Sequence, residues 1–292
     1  MSAVVIEAIP PTAARGSRIR RRFTRRPTAV IGLVGVIVIV LIAIFAPLIA
    51  PQNPNTNNYG KIFARPFTSG HLLGTDDLGR DILSRLVVGT RASMEAGILA
   101  TVLAALLGVL IGLLAGYYRG WLDTLMMRLT DVLLSFPFVI IAVGLAAVLG
   151  PSLRNSIIAL AIAQVPTFIR ISRAEVLGLR EQDYVAAAIV NGATSRSIIR
   201  RHILRNCLSP LVVQVSVAVP GSIIGAAALS FLGLGEQPPT PSWGTMLSEA
   251  QGYLSQAPWF AIIPGVALAI ATLSFNLLGD GLRDVLDPRS QR

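Results

Sequence analysis

The chain is poor in charge, nearly empty of lysine, and holds two histidines and one cysteine. Of its 292 residues only 14% are charged, against about 25% in water-soluble domains. So few charges cannot cover a fold of this size in water, which excludes an ordinary soluble enzyme. Cys207 stands alone and cannot close an internal disulfide, which excludes a disulfide scaffold. No glycine-rich loop running into Lys and Ser or Thr is present, so the chain has no phosphate cradle for ATP. Disorder is excluded by what replaces the charge: 53% of residues are apolar and the mean hydropathy is +0.67. That apolar excess must face lipid.

Its distribution supports this. Residues 27–60 carry no charge, with an apolar centre over 28–50, and 96–118, 132–153, 206–235 and 250–279 are likewise charge-free. Each is long enough for the roughly 20 residues that cross a bilayer core. A sixth stretch, 155–169, is only 15 residues long and contains Gln164 and Pro166; by length alone it also suits a re-entrant helix. The arginines decide. Lys61 is the only lysine among 25 basic residues, and seven arginines crowd the loop from Arg170 to Arg205. Cytoplasmic segments hold the basic excess. With six spans and the N-terminus inside, that loop, the tail to Pro27, Arg119 with Arg128, and the C-terminus are all cytoplasmic; five spans would put the seven-arginine loop outside. The expected layout is a basic tail over 1–27, a first span over 28–50, and an outer loop over 51–92. A five-span core over 93–283 and a short tail over 284–292 complete it. The fold class is all-α, polytopic, with six transmembrane helices. The arginines follow topology, so nucleic acid is not called for, and the N-terminal basic run suits anionic headgroups at ~1 kcal/mol per arginine. The apolar run behind it exceeds the ~7–15 residues of a cleavable signal core.

The spans lack the interior Asp, Glu, His or Arg of proton relays and ion-coupled sites. Their polar residues are mild: Gln164, Gln214, Ser216 and Asn276 are the candidates for a translocation path, and hydrogen bonding between helices is the commoner use of such residues. Gly108, Gly112 and Gly116 repeat at the spacing that lets two helices approach closely. Pro137, Pro166, Pro220 and Pro264 interrupt four spans, which suits helices that bend. His71 with Asp76 and Asp77 is a weak metal pattern. No catalytic set emerges, because His71 and His202 fall in loops on opposite sides.

Two loops carry more. The outer run HLLGTDDLGRDILSRLVVGTRAS, from His71 to Ser93, places Asp76, Asp77, Arg80 and Asp81 just ahead of the second span, either as ion pairs within the loop or as a surface for an outer partner. The inner run REQDYVAAAIVNGATSRSIIRRHILRN, over 180–206, predicts helix, break, helix. The first helix contains Ala186, Ala187 and Ala188 and ends at Asn191-Gly192, where a left-handed residue caps it. Thr194 or Ser195 caps the second, whose stripe of Ile198, Ile199, Ile203 and Leu204 suits docking on a partner.

The inner loop resembles the EAA motif of ABC importer permeases at Ala186, Ala187, Ala188, Gly192, Ile203, Leu204 and Arg205, with Ala186 in place of the motif's Glu and Arg205 in place of its Pro. The run LGTDDLGRDILSRL resembles the pattern before the second span in the dipeptide/oligopeptide/nickel branch, and FLGLGEQPPTPSWGTMLSEA, over 231–250, is similar to the last outer loop of the second permease subunit there. The resemblance implies a type I permease fold and a second permease subunit as heterodimer partner. It also implies two ATPase subunits inside, which would use the ATP and Mg, and a solute-binding protein outside. The chain needs no cofactor or metal of its own on this reading and is not itself an enzyme. The expected cargo is a short peptide, with nickel or another small solute as the alternative, and the hairpin is the ATPase-coupling element. A secondary transporter is disfavoured by the charge-free spans, and a membrane scaffold would lack ATPase partners.

Overall fold

A computed structural model describes residues 23–286; the basic run before Phe23 and the last six residues lie outside it. Among the described residues the regular structure is helical, with only two isolated bridges, both in the outer loop. Helix α1 is Pro27–Ile49, α2 Ile82–Tyr118, α3 Gly120–Leu134, α4 Phe138–Leu149, α5 Leu153–Arg180, α6 Asp183–Val190, α7 Ser195–Phe231, α8 Trp243–Ala250 and α9 Pro258–Leu286. Five of these (α1, α2, α5, α7, α9) are long and apolar enough to cross a membrane, and the bent pair α3–α4 is the sixth candidate.

Three departures from the sequence expectation have physical causes. The second span begins at Ile82 rather than near Ala96, because the Asp81 side chain accepts the Ser84 N–H and caps the helix inside the charged loop. At 37 residues α2 is about 55 Å long, and residues 82–92 belong to it rather than to an open loop. The third span is not straight. Helices α3 and α4 meet at 93° across Ser135–Pro137, and Pro137 is the only one of the four prolines at a break, since Pro166, Pro220 and Pro264 lie inside continuous helices. The fourth span, weakest by hydropathy, is the best enclosed. Its apolar window is 56% buried, against 22% for α1 and for α9. A central helix faces protein instead of lipid and can carry Gln164 and Ser172.

Helices α2 and α5 run parallel along the glycine repeat. Gly108 meets Phe168, Gly112 meets Ser172, and Gly116 meets Val176. A Cβ at Gly112 would stand 1.9 Å from Ser172 Oγ and 2.6 Å from the Ile169 carbonyl, so the close approach needs glycine there. Helix α4 adds Ala142 and Ala146 against Ile157, Leu160 and Ala226. Helices α1, α2, α7 and α9 share a second core around Met94, Ile223, Ala271 and Phe275. An Arg26–Asp284 ion pair joins the start of α1 to the last turn of α9, so both ends of the described chain lie on one side of the bundle.

Candidate functional site: an outer charge lock and an inner hairpin

On the side of the bundle holding the arginine-rich loop, α5, α6 and α7 build the expected hairpin. Helix α6 spans Asp183–Val190, and Gly192 has φ +76°, a left-handed conformation in which its N–H bonds the Ile189 carbonyl. Of the two expected caps, Thr194 is used: its hydroxyl accepts the Ser197 N–H. The second arm is not a separate helix. It is the first part of α7, which contains a π-helical turn at Ile198–Ile203, so the hairpin is joined to a span on each side.

Burial divides the residues expected to couple. Ile198 and Ile203 are buried against Val176, Val185, Cys207 and Leu211, with Ile199 and Leu204 partly covered beside them. This corrects the docking stripe at two positions: Ile198 and Ile203 fasten the hairpin to the bundle. Arg180 reinforces the base by donating to the Tyr117 carbonyl at 2.7 Å, and Arg119 pairs with Glu181 at 2.6 Å. The exposed residues are Ala186, Ala187 and Gly192, with Ala188 half-buried. Two neighbours the sequence reading did not single out, Ile189 and Val190, are 52% and 87% exposed. Bare aliphatic side chains on a tip whose base is packed form a small apolar knob. Their position in the last turn before the helix end was the available signal.

The outer run folds into a compact ion network. Asp76, Arg80, Asp81 and Arg85 are all buried. Arg80 Nε donates to Asp76 Oδ2 at 2.6 Å and its Nη2 to Glu249 Oε2 at 3.0 Å, while Arg85 Nη2 donates to Glu249 at 2.9 Å. Asp76 Oδ1 accepts the Arg80 and Leu78 N–H groups. Asp81 bonds His71 Nδ1 at 3.1 Å besides capping α2. Of the four residues considered for docking, Asp77 alone keeps appreciable exposure, with 23% of its side chain accessible; the others act within the loop. Glu249 was missed because it is more than 160 residues away in sequence, at the end of α8. His71 pairs with Asp81 rather than joining Asp76 and Asp77 as a metal ligand. The Asp76, Asp77 and Glu249 carboxylates do lie within 4.8 Å of one another, but Arg80 and Arg85 occupy the place of a cation. Burial holds the Glu249 carboxyl above the usual range despite both arginines, and burial with the Asp76 charge does the same for Asp77.

The path candidates separate. Gln164 is buried, and its Nε2 donates to Ser222 Oγ, which also shares a 2.6 Å hydrogen bond with Thr101 Oγ1. That cluster ties α5, α7 and α2 together in the bundle interior. Ser216 bonds back to the Val212 and Val213 carbonyls of its own helix. Gln214 is half-buried and Asn276 exposed, so the structure does not bring the four together.

Comparison with known proteins agrees with this architecture. Residues 108–292 match the family described as binding-protein-dependent transport system inner membrane component. Residues 15–66 match the N-terminal TM domain of oligopeptide transport permease C. The chain is 42% identical over 269 residues to the dipeptide transport system permease protein DppC of Alkalihalophilus pseudofirmus, covering 92% of this chain and 88% of that one. It is 42% identical to DppC of Haemophilus influenzae over 91% of this chain and 92% of that one. Identity is 46% to the glutathione transport system permease protein GsiD of Escherichia coli, over 92% of this chain and 89% of that one. The helical bundle with five to six membrane-crossing elements, the hairpin and these matches together show that the chain belongs to the binding-protein-dependent inner membrane transport components, as a permease of the peptide branch of ABC importers.

Proposed function

We propose that this chain is one of two permease subunits of an importer that moves short peptides into the cell, driven by two ATPase subunits on the cytoplasmic side and supplied by a solute-binding protein outside. Both termini are cytoplasmic in this reading, because the arginine-rich hairpin loop and the paired ends Arg26 and Asp284 belong to the same side. The observation that carries it is the hairpin: a packed base continuous with α5 and α7, and an apolar tip open to a partner. A partner that moves the tip moves both helices. Since α5 and α7 also hold the Gln164–Ser222 contact, motion at the tip reaches the middle of the bundle.

The break between α3 and α4 favours a second permease. Helix α4 has 12 residues, about 18 Å, so Ser135, Phe136 and Pro137 lie inside a hydrocarbon core of about 30 Å. All three are exposed in this chain. Lipid cannot satisfy irregular backbone at that depth; a protein partner or a water-filled path can. On α3, Asp123 and Asp131 turn toward Arg173 and Arg170 of α5, while Trp121, Leu125, Leu129 and Val132, followed by Phe136 in the break, are exposed, an apolar face for the partner subunit.

Gly192→Val tests the reading. A Cβ there meets nothing within 4 Å, so the substitution costs only the left-handed conformation, ~1–2 kcal/mol. The reconstituted complex is expected to assemble at its normal size while losing binding-protein-stimulated ATP hydrolysis and peptide uptake. Full stimulation by loaded binding protein in this variant would remove the hairpin from the mechanism.

A further inference from the structure

Two charges stand within the long helix α2, Arg91 where the sequence suggested an outer loop and Glu95 just inside the expected core. Because α2 starts at Ile82, Arg91 and Glu95 belong to it, one turn apart. Their depth follows from a contact at the top of α1: the Gln52 N–H donates to Ser84 Oγ at 3.0 Å, just past the end of α1 at Ile49. Descending α2 at 1.5 Å per residue puts Arg91 about 10 Å and Glu95 about 16 Å below that level. Their neighbours across the gap are Val40, Ala43 and Ile44 of α1, which lie within the membrane span. Together with Met94, Ile98 and Leu99 they line a groove of about 470 Å³.

Both charges are exposed in this chain, and among the described residues neither forms an ion pair, with the other or with a third residue. Against lipid at this depth such side chains are costly, and they occur where they face a water-filled cavity or a charged ligand. The rest of the outward face of α2 below them is apolar: Leu99, Val102, Leu106 and Leu110. Glu236, in the loop after α7, lines a neighbouring cavity with Thr245 and Glu249. Burial holds its carboxyl above the usual range, and the Glu95 charge raises it further against the Gln237 N–H, so Glu95 and Glu236 are within electrostatic reach.

We infer that Arg91 and Glu95 are specificity-determining residues of the translocation path, holding a short peptide in transit by its two ends. The Arg91 guanidinium takes the terminal carboxylate, and Glu95 takes the ammonium. This rests on the peptide reading above. Residues four apart on a helix hold their Cβ atoms about 6 Å apart, close to the ~7 Å length of an extended dipeptide. The apolar walls from α1 and Ile98 accept side chains without selecting among them.

The test uses the reconstituted importer with a saturating supply of dipeptide-loaded binding protein, so that loading is the same for every variant. In Glu95→Gln and Arg91→Gln, uptake of a free dipeptide is expected to fall about tenfold or more, since the end it held is left without its counter-charge. Stimulated ATP hydrolysis should remain, giving fewer peptides moved per ATP. A cysteine at Leu99, with Cys207→Ser, should react with a water-soluble thiol reagent from outside and be protected while dipeptide is being transported. Unchanged uptake per ATP in the double variant would overturn the proposal. So would loss of the permease pair on size analysis, which would make the charges an interface between subunits, or labelling of Leu99→Cys by lipid-phase reagents alone. A wild-type complex that takes up other solutes but no dipeptide would overturn the peptide reading instead, and is recognised before any variant is made.

Discussion

The outer lock and the inner hairpin are both charged loops joined to span ends, yet they are built in opposite ways. Outside, the charges turn inward: Arg85 is 1% exposed and meets Glu249, Asp76 and the Pro54 carbonyl. Inside, the aliphatic side chains divide, with Ile198 and Ile203 buried and Ile189 and Val190 left bare. A buried ion network fixes geometry, because removing one member leaves its partners charged and dry. A bare knob on a packed base fixes almost nothing by itself and is available to another molecule. The outer loop is therefore a rigid cover, and on the proposed function the hairpin is a handle.

The sharpest way to break this contrast is at Arg85. Arg85→Ala strips Glu249 and Asp76 of a buried counter-charge and is expected to cost about 3–5 kcal/mol. Thermal unfolding of the purified complex should show it as a large loss of stability or yield. Next comes the base of the hairpin. Ile203 is fully buried, and Ile203→Ala should cost about 2–5 kcal/mol, read as faster hydrogen exchange over 183–204 with the outer loop unaffected. The tip should behave differently. Val190→Asp changes an 87% exposed side chain, so stability should move by no more than about 0.5 kcal/mol, while stimulated ATP hydrolysis in the assembled importer falls to the unstimulated level. A stability loss at Val190 equal to that at Ile203 would dissolve the distinction between handle and fastening.

Much of this organisation was legible in the sequence. Apolar runs are contiguous, so hydropathy finds α1, α2, α7 and α9. Gly192 and Thr194 have local signatures, and the hairpin break lies where they predict it. Where the sequence fell short, the cause was a contact between distant residues. The Arg85–Glu249 pair joins two segments 164 residues apart that carry no mutual signal. The start of α2 at Ile82 depends on a cap inside a charged run, so a charge-free window starts the span too late and leaves Arg91 in the expected loop. The apolar stripe of Ile198 and Ile203 was correctly periodic, but periodicity does not say whether a stripe faces the chain itself or another one. Helix α5 was weak by hydropathy because a helix enclosed by others is not selected for contact with lipid.

The smallest expected effect concerns Asp77, which with Glu249 is one of the two carboxylates of the outer network that reach solvent. Its carboxyl and that of Glu249 are held above the usual range by burial, so the folded loop binds protons more readily than the unfolded one. For such acids the sign is fixed: ∂ΔG/∂pH of unfolding is negative while the folded state carries more protons. Their contribution to stability therefore falls as pH rises from their ordinary range near about 4 through the raised folded values, and returns on acidification. Asp77→Asn removes one of the two groups and with it part of this slope, an effect of at most about 1 kcal/mol for a partly exposed carboxylate facing Arg80. Hydrogen exchange of residues 71–81, corrected for intrinsic rates and followed from neutral toward acid pH, should show wild-type protection rising. The Asp77→Asn profile should be flatter and stand slightly above wild type at neutral pH, because the mutant no longer buries that charge. Protection that instead collapses on mild acidification in the wild type would mean that the Arg80 and Arg85 attractions outweigh burial at both carboxylates, and the outer cover would then be a lock held by its charges rather than one held despite them.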